Sequence, residues 1–332
     1  MLEHGGRLRQ AARRYGIALP DWLDLSTGLN PESWPHTEVP LSAWARLPED
    51  EDGLAAAAQR YYGAPHALPT AGSQAAILLL PKLRAPGRVG VLDPSYAEHA
   101  LRWHEAGHEL VRLRRSDCAA AARTLDTLVL VNPNNPTGER FSAAELLAWH
   151  AELAARGGWL VLDETFADAD PSDSLAAATN RAGLIVLRSL GKFFGLAGAR
   201  VGFVLGSEAL LQRLAEPLGP WTVTGPARDV ARRALADRPW HAAMRARLQE
   251  RSARLAGLLR RHDLPPAGGC SLFQWVRHPN AAQLHDALAR QGILTRLFDA
   301  PPSLRFGLPG PEPHWLRLEG ALATVARTQA GA

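Results

Sequence analysis

Lysine is nearly absent from this chain: of 37 basic residues only Lys82 and Lys192 are lysine, and the rest are arginine. Where a plain positive charge serves, the sequence uses a guanidinium, which stays protonated. A retained lysine is therefore a candidate for a place that needs an amine able to lose its proton and act as a nucleophile, with chance retention as the alternative for either one taken alone. Cysteine is equally scarce. Cys118 and Cys270 stand far apart with no CxxC or Cys/His spacing, which excludes a disulfide framework and a structural zinc site. No uncharged apolar run reaches the roughly 18 residues of a membrane span, and the opening MLEHGGRLRQ lacks the apolar stretch of a secretion signal. Both features predict a cytoplasmic protein with no membrane partner. The net charge is +4, but the arginines are interleaved with acids rather than gathered in one run, so no nucleic-acid partner is expected. A composition 46% hydrophobic and 21% charged excludes disorder and leaves ample material for a core.

From about residue 70 to 205 short apolar runs alternate with amphipathic stretches, the pattern of a mainly parallel sheet covered by crossover helices. RVGVL (88–92), ELVRL (109–113), TLVLVN (127–132), WLVLDE (159–164), LIVLRSL (184–190) and RVGFVL (200–205) are predicted strands. SQAAILLLPKL, YAEHALRWHEAG and SAAELLAWHAELAARG are predicted helices, the last opened by a capping box of Ser142 and Glu145. A long helical pattern runs over 226–262 with an interruption near Pro239. From 271 the pattern changes to SLFQWV, a helix over 280–291, ILTRLF, SLRFGL and a last helix, which predicts a smaller α+β domain. The first 40 or so residues hold a helix over 5–15 and a Pro/Gly-rich loop, too little for a domain of their own.

In open parallel sheets ligands bind beyond the carboxyl ends of the strands, so the residues that follow each apolar run are the first candidates for chemistry. After TLVLVN comes NPNNPTG (132–138), a rigid turn dense in side-chain amides. After WLVL come Asp163 and Glu164; an isolated acid pair there is more often a solvated strand end or a helix cap. After LIVLR come Ser189, Leu190, Gly191 and Lys192, and Arg200 stands at the start of the next predicted strand. Ala71-Gly72-Ser73-Gln74 opens an apolar helix, where free backbone amides and the helix dipole attract a phosphate.

Together these parts meet the needs of pyridoxal phosphate. That cofactor needs a lysine amine to join its aldehyde carbon, a carboxylate to keep its ring nitrogen protonated, a donor beside its phenolic oxygen, an aromatic face and an anion site. Lys192, Asp163, Asn135 and Tyr96, in DPSYAEH, meet the first four needs. Gly72, Ser73 and Gln74 at the helix start, with Ser189 and Arg200, meet the fifth.

The ordered series AGSQ, DPSY, NPNNPTG, DETF and SLGKFFGLAGARVGF resembles the fold type I aminotransferase family over roughly residues 45–310. The resemblance implies an α/β fold type I transferase dependent on pyridoxal phosphate. A mainly parallel seven-stranded sheet would lie in a large domain (45–225), and both chain ends (1–44 and 226–332) would form a smaller α+β domain. It also implies a homodimer with two sites near the subunit interface. Arg305, in SLRFGL, matches the arginine that grips the substrate α-carboxylate, a task that suits a planar bidentate donor.

Within the family, HGGRLRQAARRYGI and WLDLSTGLNPES resemble segments of the threonine-phosphate decarboxylases of cobalamin biosynthesis, which share a branch with the histidinol-phosphate aminotransferases. This implies decarboxylation of L-threonine O-3-phosphate to (R)-1-aminopropan-2-ol O-2-phosphate. His4, Gly5 and the loop Ser26, Thr27 and Gly28 would close over the substrate phosphate, with Arg296, in GILTRLF, as a second candidate. Two departures stand out. Phe166 replaces a family tyrosine three residues after Asp163, which moves the bond to the phenolic oxygen onto Asn135. Leu47 stands where a tyrosine of the neighbouring subunit usually reaches the cofactor phosphate. A histidinol-phosphate aminotransferase and a non-catalytic subunit on the same fold remain as alternatives; the intact set of Lys192, Asp163 and Asn135 argues against the second.

Overall fold

All six predicted apolar runs form strands of one seven-stranded sheet in the computed structural model, which describes residues 4–35 and 38–330. Their order across the sheet is Ala67–Thr70, Gly202–Leu205, Leu184–Ser189, Trp159–Asp163, Thr127–Val131, Arg88–Leu92 and Glu109–Leu113. Gly202–Leu205 is antiparallel to both neighbours, and the other pairings are parallel. Ala67–Thr70 has no counterpart among the predicted strands. It is short and contains Pro69, and its edge position tolerates a residue with no N–H to donate. The last strand begins at Gly202 rather than at residue 200, because Arg200 adopts the left-handed conformation (φ 55°, ψ 49°) and ends a turn instead.

Nearly continuous apolar strands require cover on both faces, and alternation assigns the residues. Trp159, Val161, Val129, Ile185, Leu187 and Val204 share a core with Ile77, Leu80, Trp103 and Leu214 of the helical segments. Leu128, Leu130, Leu160, Leu162, Leu184 and Val186 are buried on the opposite face. Burial of each such side chain contributes about 1.5–3 kcal/mol. The helix Ala143–Ala154 starts as predicted: Ser142 Oγ accepts from the Glu145 N–H at 3.3 Å, and Glu145 accepts from the Ser142 N–H at 2.8 Å.

The chain divides into two units. The larger comprises Ser33–Asn135 and Glu139–Ala243; the smaller comprises the segments up to Glu32, Pro136–Gly138 and from Met244 onward. The sequence pattern places the divisions at 44/45 and 225/226. Residues on either side of those points join the larger unit because the helix Gly225–Ala236 packs on Leu54–Tyr62 and on Leu41–Ala45. The buried Arg228 fixes it there by donating to both Asp52 carboxylate oxygens, at 2.6 and 2.8 Å. The helical pattern from 226 breaks at Asp237, and Pro239 occupies the first turn of the next helix, Arg238–Arg261.

The smaller unit contains an antiparallel sheet in the order Arg296–Phe298, Ser303–Gly307, Phe273–Arg277 and Gly268–Cys270. Leu23–Asp24 pairs in parallel with Ile293–Leu294. Beside that pair, Leu8, Ala11 and Tyr15 of the helix Leu8–Tyr15 pack with Trp22, Ala289 and Leu294.

Candidate active site

The strand Trp159–Asp163 delivers the Asp163 carboxylate to the face that carries Val161 and Leu187, and buries it there. Asp163 Oδ2 lies 2.9 Å from His99 Nε2, and Oδ1 accepts the Thr165 N–H at 3.1 Å. Burial pushes this carboxyl up, but the bonds from His99 and Thr165 outweigh it and hold the group below the ordinary aspartate range. The carboxylate only accepts, so the shared proton sits on His99 Nε2. His99 lies on the helix Ala97–Glu105, three residues after Tyr96, which places both on one helical face. The Tyr96 and His99 rings meet edge to face with centroids 6.0 Å apart. The Tyr96 hydroxyl, pushed up to about 12 by burial and by Asp163 and Glu98, remains protonated and donates to Gln74 Oε1 at 3.4 Å. Gln74 in turn donates to Glu98 at 3.0 Å.

Lys192 occupies the turn after the strand Leu184–Ser189. Ser189 Oγ accepts the Gly191 N–H at 3.1 Å, and the Lys192 carbonyl accepts the Gly195 N–H at 3.2 Å. The Lys192 amine lies 5.0 Å from the centroid of the buried Phe166 ring. Arg200 holds its left-handed backbone at a cost of roughly 1–2 kcal/mol, strain of the kind that persists where function requires it. Its guanidinium lies beside Gly72, where a Cβ would stand 2.6 Å from Nη2 and push the arginine tip aside; Gly72 itself has φ +72°, and that backbone favours glycine. In the NPNNPTG turn, Asn132 is bound to the Phe141 backbone and Asn134 to the Pro94 carbonyl and the Ser95 hydroxyl. Asn135 follows Asn134 in the same turn.

In the smaller unit, His4, Gly5, Ser26 and Arg296 line one cavity of about 350 Å³. Among the described residues its lining does not include Thr27, Gly28 or Arg305. The Ser26 hydroxyl is engaged within the loop. It donates to Asp24 at 2.6 Å and accepts the Gly6 N–H at 2.8 Å, so it fixes the Gly5–Gly6 segment. A Cβ on Gly5 would collide with the Ser26 carbonyl. Arg305 stands directly opposite Arg296 in the antiparallel ladder, which puts both on one face of the sheet. Arg305 is buried, donates to the Ser26 carbonyl at 2.7 Å and lies 5.0 Å from the Phe273 ring. Burial lowers its pKa to about 10, and the neighbouring Arg296 charge adds to the effect.

Sequence reasoning missed His99, along with Arg7, Gln10, Arg14 and His285, which also line the cavity. The 7, 10, 14 spacing on the first helix was the available signal.

The larger unit offers a buried ionised carboxylate, an amine on an apolar ring, a protonated tyrosine and a guanidinium beside a glycine turn with positive φ. This donor set fits pyridoxal phosphate. Among the described residues no cluster of His, Cys, Asp or Glu is placed to hold a metal ion.

A family model for class I and II aminotransferases matches residues 47–327. The threonine-phosphate decarboxylase of Pseudomonas aeruginosa is 61% identical over 324 residues, covering 97% of each chain. That of a Sinorhizobium species is 43% identical over 329 residues, covering 97% of this chain and 98% of its own. The structure of histidinol-phosphate aminotransferase from Sinorhizobium meliloti in complex with pyridoxal-5'-phosphate superposes with a TM-score of 0.83 at 20% identity, covering 99% of this chain and 96% of that one.

Proposed function

The chain belongs to the class I and II aminotransferase family, and from that premise we propose that it is a decarboxylase of L-threonine O-3-phosphate dependent on pyridoxal phosphate. The product is (R)-1-aminopropan-2-ol O-2-phosphate, and the pathway is cobalamin biosynthesis. Full-length similarity to two threonine-phosphate decarboxylases carries this reading. When bound, the cofactor accepts the electron pair left at the α-carbon as carbon dioxide departs.

Lys192 would bind the cofactor, and its Nζ or a water would return a proton to the α-carbon. Asp163, held ionised by His99 and Thr165, pairs with the ring nitrogen. Asn135 bonds the phenolic oxygen, a role that Phe166 cannot share. Tyr96 covers the ring, and Gly72, Ser73, Gln74, Ser189 and Arg200 bind the cofactor phosphate. Arg305 takes the substrate carboxylate. His4, Gly5, the Ser26, Thr27 and Gly28 loop and Arg296 serve the substrate phosphate, with Ser26 acting through the segment it fixes. Anchoring both anionic ends of the substrate would fix the orientation of the α-carbon and so select which of its bonds breaks.

The same reading makes the enzyme a cytoplasmic homodimer, with cofactor binding in residues 45–225 and both chain ends forming the substrate-binding domain. Exposed Leu41, Trp44, Leu47 and Trp221 are apolar side chains of the kind that a second copy would cover. Among the described residues no helix is long and apolar enough to cross a membrane. Incubation with threonine phosphate, threonine, and histidinol phosphate with 2-oxoglutarate should release carbon dioxide from the first alone. Glutamate from the third would favour transamination instead.

A further inference from the structure

On the sheet face opposite Asp163, an ionic cluster interrupts an otherwise apolar surface. Along the strand Leu184–Ser189, Leu184 and Val186 are followed on that face by Arg188; along its parallel neighbour, Leu160 and Leu162 are followed by Glu164. Arg188, Glu164 and Asp168 are all buried. Arg188 Nη1 donates to the Glu164 carbonyl at 3.1 Å and lies 3.4 Å from its carboxylate and 3.8 Å from Asp168. Nη2 donates to Ser174 Oγ at 3.2 Å, and Ser174 donates to Glu164 Oε2 at 2.6 Å. The Leu175 N–H closes on Glu164 Oε1 at 2.9 Å, and the guanidinium lies 4.7 Å from the Tyr62 ring.

We propose that Arg188 is a positioning residue that ties the strand end carrying Asp163 to the strand end carrying Ser189 and Lys192, through its bonds to the Glu164 carbonyl and the Ser174 hydroxyl. The covalent path is short on both sides. Glu164 follows Asp163 directly, and Arg188 precedes Lys192 by four residues. The backbone ladder between these strands ends at the Glu164 N–H, which donates to the Leu187 carbonyl at 3.0 Å. Beyond that bond the Arg188 fork continues the link between the two strand ends. Stability alone does not call for it, because apolar residues filling the same volume often serve as well as a buried ion pair. Arginine suits the task, since its planar fork can donate in two fixed directions where an ammonium is a compact point charge.

This inference rests on the proposed cofactor site but not on the identity of the amino-acid substrate, so its readouts are cofactor binding and the pH midpoint of the bound cofactor's visible absorption band. In Arg188→Lys, the cofactor should bind about tenfold more weakly and the band midpoint should move. The turnover number kcat should fall by about 10-fold to 100-fold while KM for threonine phosphate stays near its wild-type value. Ser174→Ala removes one arm of the link and one hydrogen bond to Glu164 while leaving both charged side chains in place, and should produce the same changes to a smaller extent. A purely structural cluster predicts something else: both variants would lower the melting temperature of the cofactor-free and cofactor-bound proteins equally, with affinity and band midpoint unchanged. That result would overturn the proposal.

Discussion

The two groups of candidate residues differ in how their charges are balanced. In the larger unit Asp163 is buried beside His99 and accepts two hydrogen bonds from the protein, and burial with nearby acids keeps the Tyr96 hydroxyl protonated. In the smaller unit two arginines oppose each other on adjacent strands, and the buried one has its pKa lowered to about 10. Like charges opposite each other in a sheet are unfavourable, and an arriving anion adds attractions that offset that repulsion. On the proposed reading, the first group would serve chemistry on a fixed cofactor, and the second would gain from the substrate's own negative charges.

The largest effect should follow from breaking the first group at its nucleophile. Lys192→Ala is expected to lower turnover by about 10⁴-fold or more. Borohydride reduction followed by peptide mapping of the wild type should place the cofactor label on Lys192, and a label on Lys82 would refute the assignment. Asp163→Asn should retain the cofactor yet lose roughly 10²-fold or more in rate, because an ionised partner for the ring nitrogen is missing. Activity within a few-fold of wild type would show that the electron sink does not depend on this carboxylate.

In the second group, Arg296→Ala should impair kcat/KM for threonine phosphate much more than for threonine. Each charge-assisted bond to phosphate is worth about 1.5–3 kcal/mol. An unchanged ratio between the two substrates would remove Arg296 from the phosphate site.

The smallest effect concerns acid. Folding lowers the Asp163 pKa below its ordinary value, so this carboxylate stabilises the native state above about pH 4, and the contribution is lost as pH falls through the folded pKa. The gap in melting temperature between cofactor-free wild type and Asp163→Asn should therefore be widest near neutrality and close in acid. A gap that stays constant down to low pH would contradict the ionised, hydrogen-bonded state.

What was legible in the sequence follows from the same physics. Strands covered on both faces appear as apolar runs, which is why six of the seven could be read; Ala67–Thr70 is a short edge strand with a proline and carries no such signal. Asp163 and Lys192 stood out because they lie at the carboxyl ends of apolar runs. His99 did not, since a histidine on an amphipathic helix acquires meaning only when folding brings it 2.9 Å from Asp163, 64 residues away. Arg188 reads locally as a polar strand end, and its burial depends on Glu164, Asp168 and Ser174 from the neighbouring strand and the loop after it. Within the loop expected to close over the substrate phosphate, the Ser26 hydroxyl is engaged by Asp24 and Gly6, a pairing that sequence spacing does not reveal.

The most direct test of the account is the ratio of kcat/KM for decarboxylation of threonine phosphate to that for free threonine in the wild-type enzyme. Two or more charge-assisted contacts to the phosphate predict a preference of about 10²-fold or more for the phosphorylated substrate. Equal values, or a preference for free threonine, would contradict the assignment of the smaller unit's cavity to the substrate phosphate.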